Sequence, residues 1–217
     1  GYFIIDGKEK VIVAQERQVE NKLYIRENKD IEDRYNFELE IRSVPEAIFQ
    51  PARVIKMYMI NERFTLTEKI EQNTIRVLIP NINEEIPLFI IFRALGVISD
   101  KDILNLIIDN LDSKLGEVMS TLLIPTIQES SLIGTQRLAL DFLRSKITAY
   151  GKNLTDGKKN EFSFKDAFLL DVLRNYFLPH VGKDFVCKSI FLGYMVKELV
   201  LTKLEFKIPT DRDCFIN

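Results

Sequence analysis

The stretch TIRVLIPNINEEIPLFIIFRALG, Thr74–Gly96, is where the chain changes its periodicity. Thr74–Ile79 alternates Ile75, Val77 and Ile79 with other side chains, a period of two that reads as a strand ending at Pro80. Pro87 then stands where a first helical turn tolerates proline. Leu88–Leu95 runs on from it to Gly96, the residue type that a helix C-cap favours. Upstream of this switch the chain reads as β, downstream as α.

Working back from Thr74, Val54–Ile60 and Lys22–Arg26 are strand-like, and Phe37–Arg42 is the clearest case. Phe37, Leu39 and Ile41 face one way, and Glu38, Glu40 and Arg42 the other, as in a half-buried strand. Tyr2–Ile5 and Val11–Ala14 flank Asp6-Gly7-Lys8, a hairpin signal. Working forward from Gly96, Ser99 and Asp102 form a capping-box variant before an apolar stripe of Ile103, Leu104, Ile107 and Ile108. Further helices are expected at Ser113–Ile124, Gln136–Ile147, Phe164–Phe177 and Lys188–Lys203, with Pro179 closing the third. The expected fold is α+β, an N-terminal, mostly antiparallel sheet packed on a predominantly helical C-terminal half.

Composition excludes several classes. The 217 residues, 46% hydrophobic and 29% charged, suffice for a buried core without disulfides. Cys187 and Cys214 lack CxxC spacing and suit a reducing, intracellular setting. No apolar run is long enough to span a bilayer, and no signal peptide is visible, so no membrane partner is expected. The strand-like run at residue 1 leads us to expect a piece of a longer protein. A net charge of −2 is poor equipment for gripping nucleic acid unaided, so such contact must come from a local patch within a larger assembly.

Signs of intrinsic chemistry are sparse. The single histidine, His180, has no activated nucleophile marked nearby and reads as structural. One histidine and two distant cysteines do not make a structural zinc site, and Gly151 and Gly157 match no phosphate loop. Asp211-Arg212-Asp213 reads as a solvated or ion-paired terminal segment, and Phe162, Phe164, Phe168 and Phe177 read as core. No metal, cofactor or catalytic centre is expected. One stretch stands apart: Arg144–Asn160 carries Arg144, Lys146, Lys152, Lys158 and Lys159 against the single acid Asp156, a flexible and locally basic loop.

Six blocks resemble, in order and spacing, the second-largest (β-type) subunit of RNA polymerase II-like multisubunit DNA-directed RNA polymerases. They are GYFIIDGKEKVIVAQE (Gly1–Glu16), IPLFIIFRALGVISDKDIL (Ile86–Leu104), ALDFL (Ala139–Leu143), NYFLPHVG (Asn175–Gly182), FLGYMVKELVL (Phe191–Leu201) and DRDCF (Asp211–Phe215). Residues 17–73 and 112–135 match weakly. Cys214 stands where the family usually has His, and Ile216 where it has Gly.

The resemblance implies the lobe of that subunit. Residues 1–20 would be a strand-forming segment linking to the neighbouring protrusion, 21–208 the lobe, and 209–217 a return segment. It implies one wall of the downstream DNA cleft, with duplex DNA, other polymerase subunits and initiation or elongation factors as partners. The Mg²⁺ of the parent nucleotidyltransferase would be bound elsewhere, and the piece alone would be inactive. Arg144, Lys146, Lys152, Lys158 and Lys159 would then lie near DNA as phosphate contacts rather than base readers. The alternatives are a docking module for small subunits or factors with little DNA contact, a solvated loop without a partner and, last, an unrelated enzyme. The implied setting is the nucleus for a cellular polymerase. For a viral one, which the Ile- and Asn-rich composition would suit, it is the virion or the infected host cell.

Overall fold

The computed structural model describes residues 1–28, 33–46, 50–60, 73–147, 158–210 and 214–215, with the backbone alone for 158–164. Strands β3 (Leu23–Glu27), β4 (Tyr35–Ser43), β5 (Arg53–Ile60), β6 (Ile75–Leu78) and β7 (Ile86–Pro87) form one five-stranded antiparallel meander in chain order. Register puts like with like: Leu39 faces Met57, which faces Val77, which faces Ile86. All four are fully buried, because one face of the sheet lies on the helices. On the other face, Lys56 of β5 reaches Glu38 at 2.6 Å and Glu40 at 3.6 Å across the strand pair.

Helix α1 (Leu88–Leu95) follows β7 directly, and every one of its eight residues is buried. It packs on β6 and β7 and on helices α2 (Asp100–Ile107), α3 (Lys114–Glu129), α4 (Gln136–Lys146) and α6 (Phe185–Lys203). Gly96 ends it in the left-handed conformation, φ 107°. Arg93, 3% exposed, is the one charge on this helix. Its guanidinium donates to the carbonyls of Ser130 (2.6 Å) and Ile133 (2.7 Å) and to Asp100 (2.5 Å), tying the α3–α4 turn and the start of α2 to the core.

The structure departs from the sequence expectations in four places. The second hairpin strand is β2 (Lys8–Lys10), not Val11–Ala14, because β1 (Phe3–Ile5) has only three residues to pair. Pro87 precedes α1 as its N-cap residue and closes a short strand. Helix α3 continues through Pro125 to Glu129, since tertiary ties outweigh the missing backbone bond. Thr126 accepts the Ile75 amide at 3.1 Å, and Glu129 receives Arg76 at 2.6 Å. The helix expected at Phe164–Phe177 begins earlier, as α5 (Lys158–Asp171), and ends in a π-turn, Val172–Tyr176. Lys188 of α6 reaches into that turn and donates to the carbonyls of Leu173 (2.7 Å), Arg174 (2.8 Å) and Phe177, replacing partners that a regular helix end would lack.

The body begins and finishes at one place. The Val19 amide donates to the Phe215 carbonyl at 3.1 Å, and the Tyr24 hydroxyl lies 3.0 Å and 3.1 Å from the carbonyls of Val19 and Phe215. The β1–β2 hairpin before it stands exposed, with Phe3, Ile4, Ile5 and Val11–Val13 open to solvent.

Candidate nucleic-acid interface

Helix α4 begins at Gln136 because the Thr135 hydroxyl accepts the Leu138 amide at 3.3 Å, and it turns Ala139 and Leu143 onto the core. Its last turn carries Arg144 and Lys146, where cations complement the helix dipole. Ile147 then forms an antiparallel bridge with Ile82. Lys146 pairs with Glu84 at 2.5 Å, and Tyr35 donates to Glu85. The connection between β6 and β7 thus braces the point where the chain leaves α4.

Of the five cations expected near DNA, four stand on helix ends. Arg144 and Lys146 close α4, and Lys158 and Lys159 open α5. Lys152 lies outside the described residues. The two pairs differ in their setting. Lys158 and Lys159 are the first two residues of the 14-residue α5, where the helix dipole disfavours cations.

Arg144 is engaged with both arms: Nη2 lies 2.5 Å from Asp141 on its own helix, and Nη1 lies 2.8 Å from Asp166 on α5. The Asp166 hydrogen bond, reinforced by both carboxylate charges, raises its already high pKa further. Beside it, a groove of about 430 Å³ between α4 and α5 is lined by Leu140, Leu169 and Leu170 among others. Asp141 could have been suspected from its spacing three residues before Arg144. Asp166, on another helix, had no such signal.

Two other polar contacts look inward. His180 Nδ1 lies 2.6 Å from Ser43 Oγ, which also accepts the His180 amide at 3.2 Å. Burial, then the charge of Lys188, lowers the histidine to about 4, so at neutral pH the ring is neutral and shares one proton with Ser43 Oγ, the donor being set by the tautomer. This resembles a nucleophile–base contact, but Ser43 is fully buried and its oxygen is already shared with the backbone. The pair fastens the Pro179–Val181 turn to β4. Lys188 is also fully buried, and burial pulls it down to about 8. At neutral pH it remains chiefly an ammonium held by three carbonyls. Cys187 and Cys214 are free and exposed. Among the described residues no three His, Cys, Asp or Glu side chains converge as a metal site, and no helix is long and apolar enough to cross a membrane.

Residues 19–217 match the family described as RNA polymerase Rpb2, domain 2. The chain is 35% identical over 216 residues to DNA-directed RNA polymerase II subunit RPB2 of Encephalitozoon cuniculi, covering 98% of this chain and 17% of that protein. It is 36% identical over 219 residues to the RPB2 of Schizosaccharomyces pombe, covering 99% and 17%. With subunit Rpo2 of Saccharolobus solfataricus it shares 28% over 220 residues, covering 100% and 17%. The chain thus spans about a sixth of the length of these curated relatives. With a family match over residues 19–217 and relatives above 30% identity over almost the whole chain, the chain belongs to the RNA polymerase Rpb2 domain 2 family, the lobe region of the second-largest polymerase subunit.

Proposed function

We propose that this lobe forms one wall of the downstream DNA cleft in a DNA-directed RNA polymerase. Its contribution to template-directed nucleotidyl transfer is structural and electrostatic, with the catalytic Mg²⁺ bound elsewhere in the parent enzyme. The observation that carries the reading is the placement of Lys158 and Lys159 on the first turn of α5. Two cations at the positive end of a helix oppose its dipole, and a phosphate backbone would offset both. With Lys152 they supply sequence-independent phosphate contacts. Lys146 joins them readily, because its pair with Glu84 is exposed at the surface and such pairs are weak.

Residues 1–20 belong, in this reading, to the neighbouring protrusion, which covers the exposed hairpin; 21–208 form the lobe, and 209–217 return beside the incoming strand. The meeting of Val19, Tyr24 and Phe215 supports that division. The setting that follows from the eukaryotic polymerase II relatives is the nucleus, with other polymerase subunits as partners.

A second reading has its own observation. Val186, Ile190 and Tyr194 recur every four residues on α6 and are all exposed, a face suited to docking another subunit or a factor.

Salt dependence separates the two. In polymerase assembled with Lys152, Lys158 and Lys159 all changed to Ala, affinity for downstream duplex should fall. The slope of log affinity against log salt should shrink by about 0.9 for each phosphate that is no longer neutralised. Unchanged affinity and slope would leave the docking reading in place.

A further inference from the structure

We infer that Arg144 is a positioning residue and not a phosphate ligand: by bridging Asp141 of α4 and Asp166 of α5 it sets where the first turn of α5, with Lys158 and Lys159, points. This rests on the DNA-wall reading above for its purpose, but not for its geometry.

Competition supplies the first argument. Arg144 already holds two carboxylates, Asp141 at 2.5 Å and Asp166 at 2.8 Å. A phosphate approaching the guanidinium would have to displace them, whereas a site built for DNA leaves its cations open to phosphate.

Geometry supplies the second. Arg144 lies in the last turn of α4, and Asp166 lies eight residues beyond Lys158, about 12 Å along the helix at a rise of ~1.5 Å per residue. The ion pair between them joins the two helices on the side that leads to the basic turn. Apolar packing around Leu169 and Val172 holds the far end of α5, so this pair stands between that packing and the lysines it directs. The residue type fits the task. A planar guanidinium reaches two carboxylates on two helices at once, whereas an ammonium is a point charge without that fork.

The sign of one substitution decides the matter. Asp166→Asn removes a negative charge near the proposed DNA path. If Arg144 were a phosphate ligand, releasing it would tighten duplex binding by the assembled polymerase. As a positioning residue it predicts the reverse: weakening of about threefold, a shallower salt slope, and recovery in Asp166→Glu, which restores the carboxylate.

Amide hydrogen exchange in the same polymerase without DNA reads the positioning directly. Exchange over 158–166 should quicken about fivefold in Asp166→Asn and in Arg144→Gln, but not in Lys158→Ala/Lys159→Ala. Tighter duplex binding by Asp166→Asn, or exchange unchanged in both clamp variants, would overturn the inference. If the lysine pair leaves duplex affinity untouched, the DNA-wall reading fails, and exchange still judges the clamp.

Discussion

Two arginines tie helices together in this molecule, and they do so under different conditions. Arg93 sits on the fully buried α1 and gives its hydrogen bonds to two backbone carbonyls and one carboxylate. Arg144 sits at the edge, half-buried, and gives its bonds to two carboxylates that are themselves only partly buried. The first is a fixed anchor, because the guanidinium is buried and the Ser130 carbonyl it satisfies lies in the interior. The second is a wet tie, where water can replace either partner. The core of the lobe is therefore rigid by burial, while the α4–α5 edge, where the proposed DNA contacts lie, is directed by charge.

The largest expected effect tests the anchor. Arg93→Ala should destabilise the chain by roughly 2–4 kcal/mol in urea unfolding, since it strands the Ser130 carbonyl in the interior, loses the Ile133 bond and leaves a gap in the core. A change below about 1 kcal/mol would remove the contrast between the two arginines.

The crossing of α2 and α6 sharpens the same point. A Cβ on Gly193 would stand 2.5 Å from the Leu106 carbonyl oxygen, and that backbone has no room to yield. Gly193→Ala should therefore cost about 1–3 kcal/mol, measured in the same way.

A smaller, pH-dependent effect comes from His180. Its folded pKa, about 4, lies below the ordinary value of 6.5, so between those values the unfolded chain binds a proton that the folded chain does not. Stability therefore falls as pH drops from 6.5 toward 4, by about 1 kcal/mol at pH 5 once partial exposure is allowed for. Lys188 remains protonated throughout that window and supplies a constant repulsion. His180→Gln should remove this portion of the acid sensitivity, read as the difference between the two pH profiles. Identical profiles would contradict the burial argument.

The smallest change in stability is expected at the edge. Arg144→Gln should leave the urea midpoint almost unmoved while altering α5 and duplex binding. A large drop in stability there would make Arg144 a second core anchor and erase the contrast.

Much of the rigid half was legible in the sequence, and less of the edge. Phe37, Leu39 and Ile41 announced β4 because burial on one face imposes a period of two, and Leu88–Leu95 with Gly96 announced α1 and its end. What escaped was decided by residues distant in sequence. Helix α3 runs through Pro125 because Thr126 and Glu129 meet β6, and α5 ends in a π-turn because Lys188 arrives from α6. The basic stretch was visible as composition. Its division into two helix ends was not, and the clamp at one of them needs Asp166 to find Arg144 across 22 residues of chain.

The most direct test of the central claim places a photoreactive residue at position 159, and separately at position 186, in an assembled polymerase bound to downstream duplex. Crosslinks to DNA from 159 and to protein from 186 are the predicted result. Capture of protein alone from 159, with DNA untouched, would contradict the account.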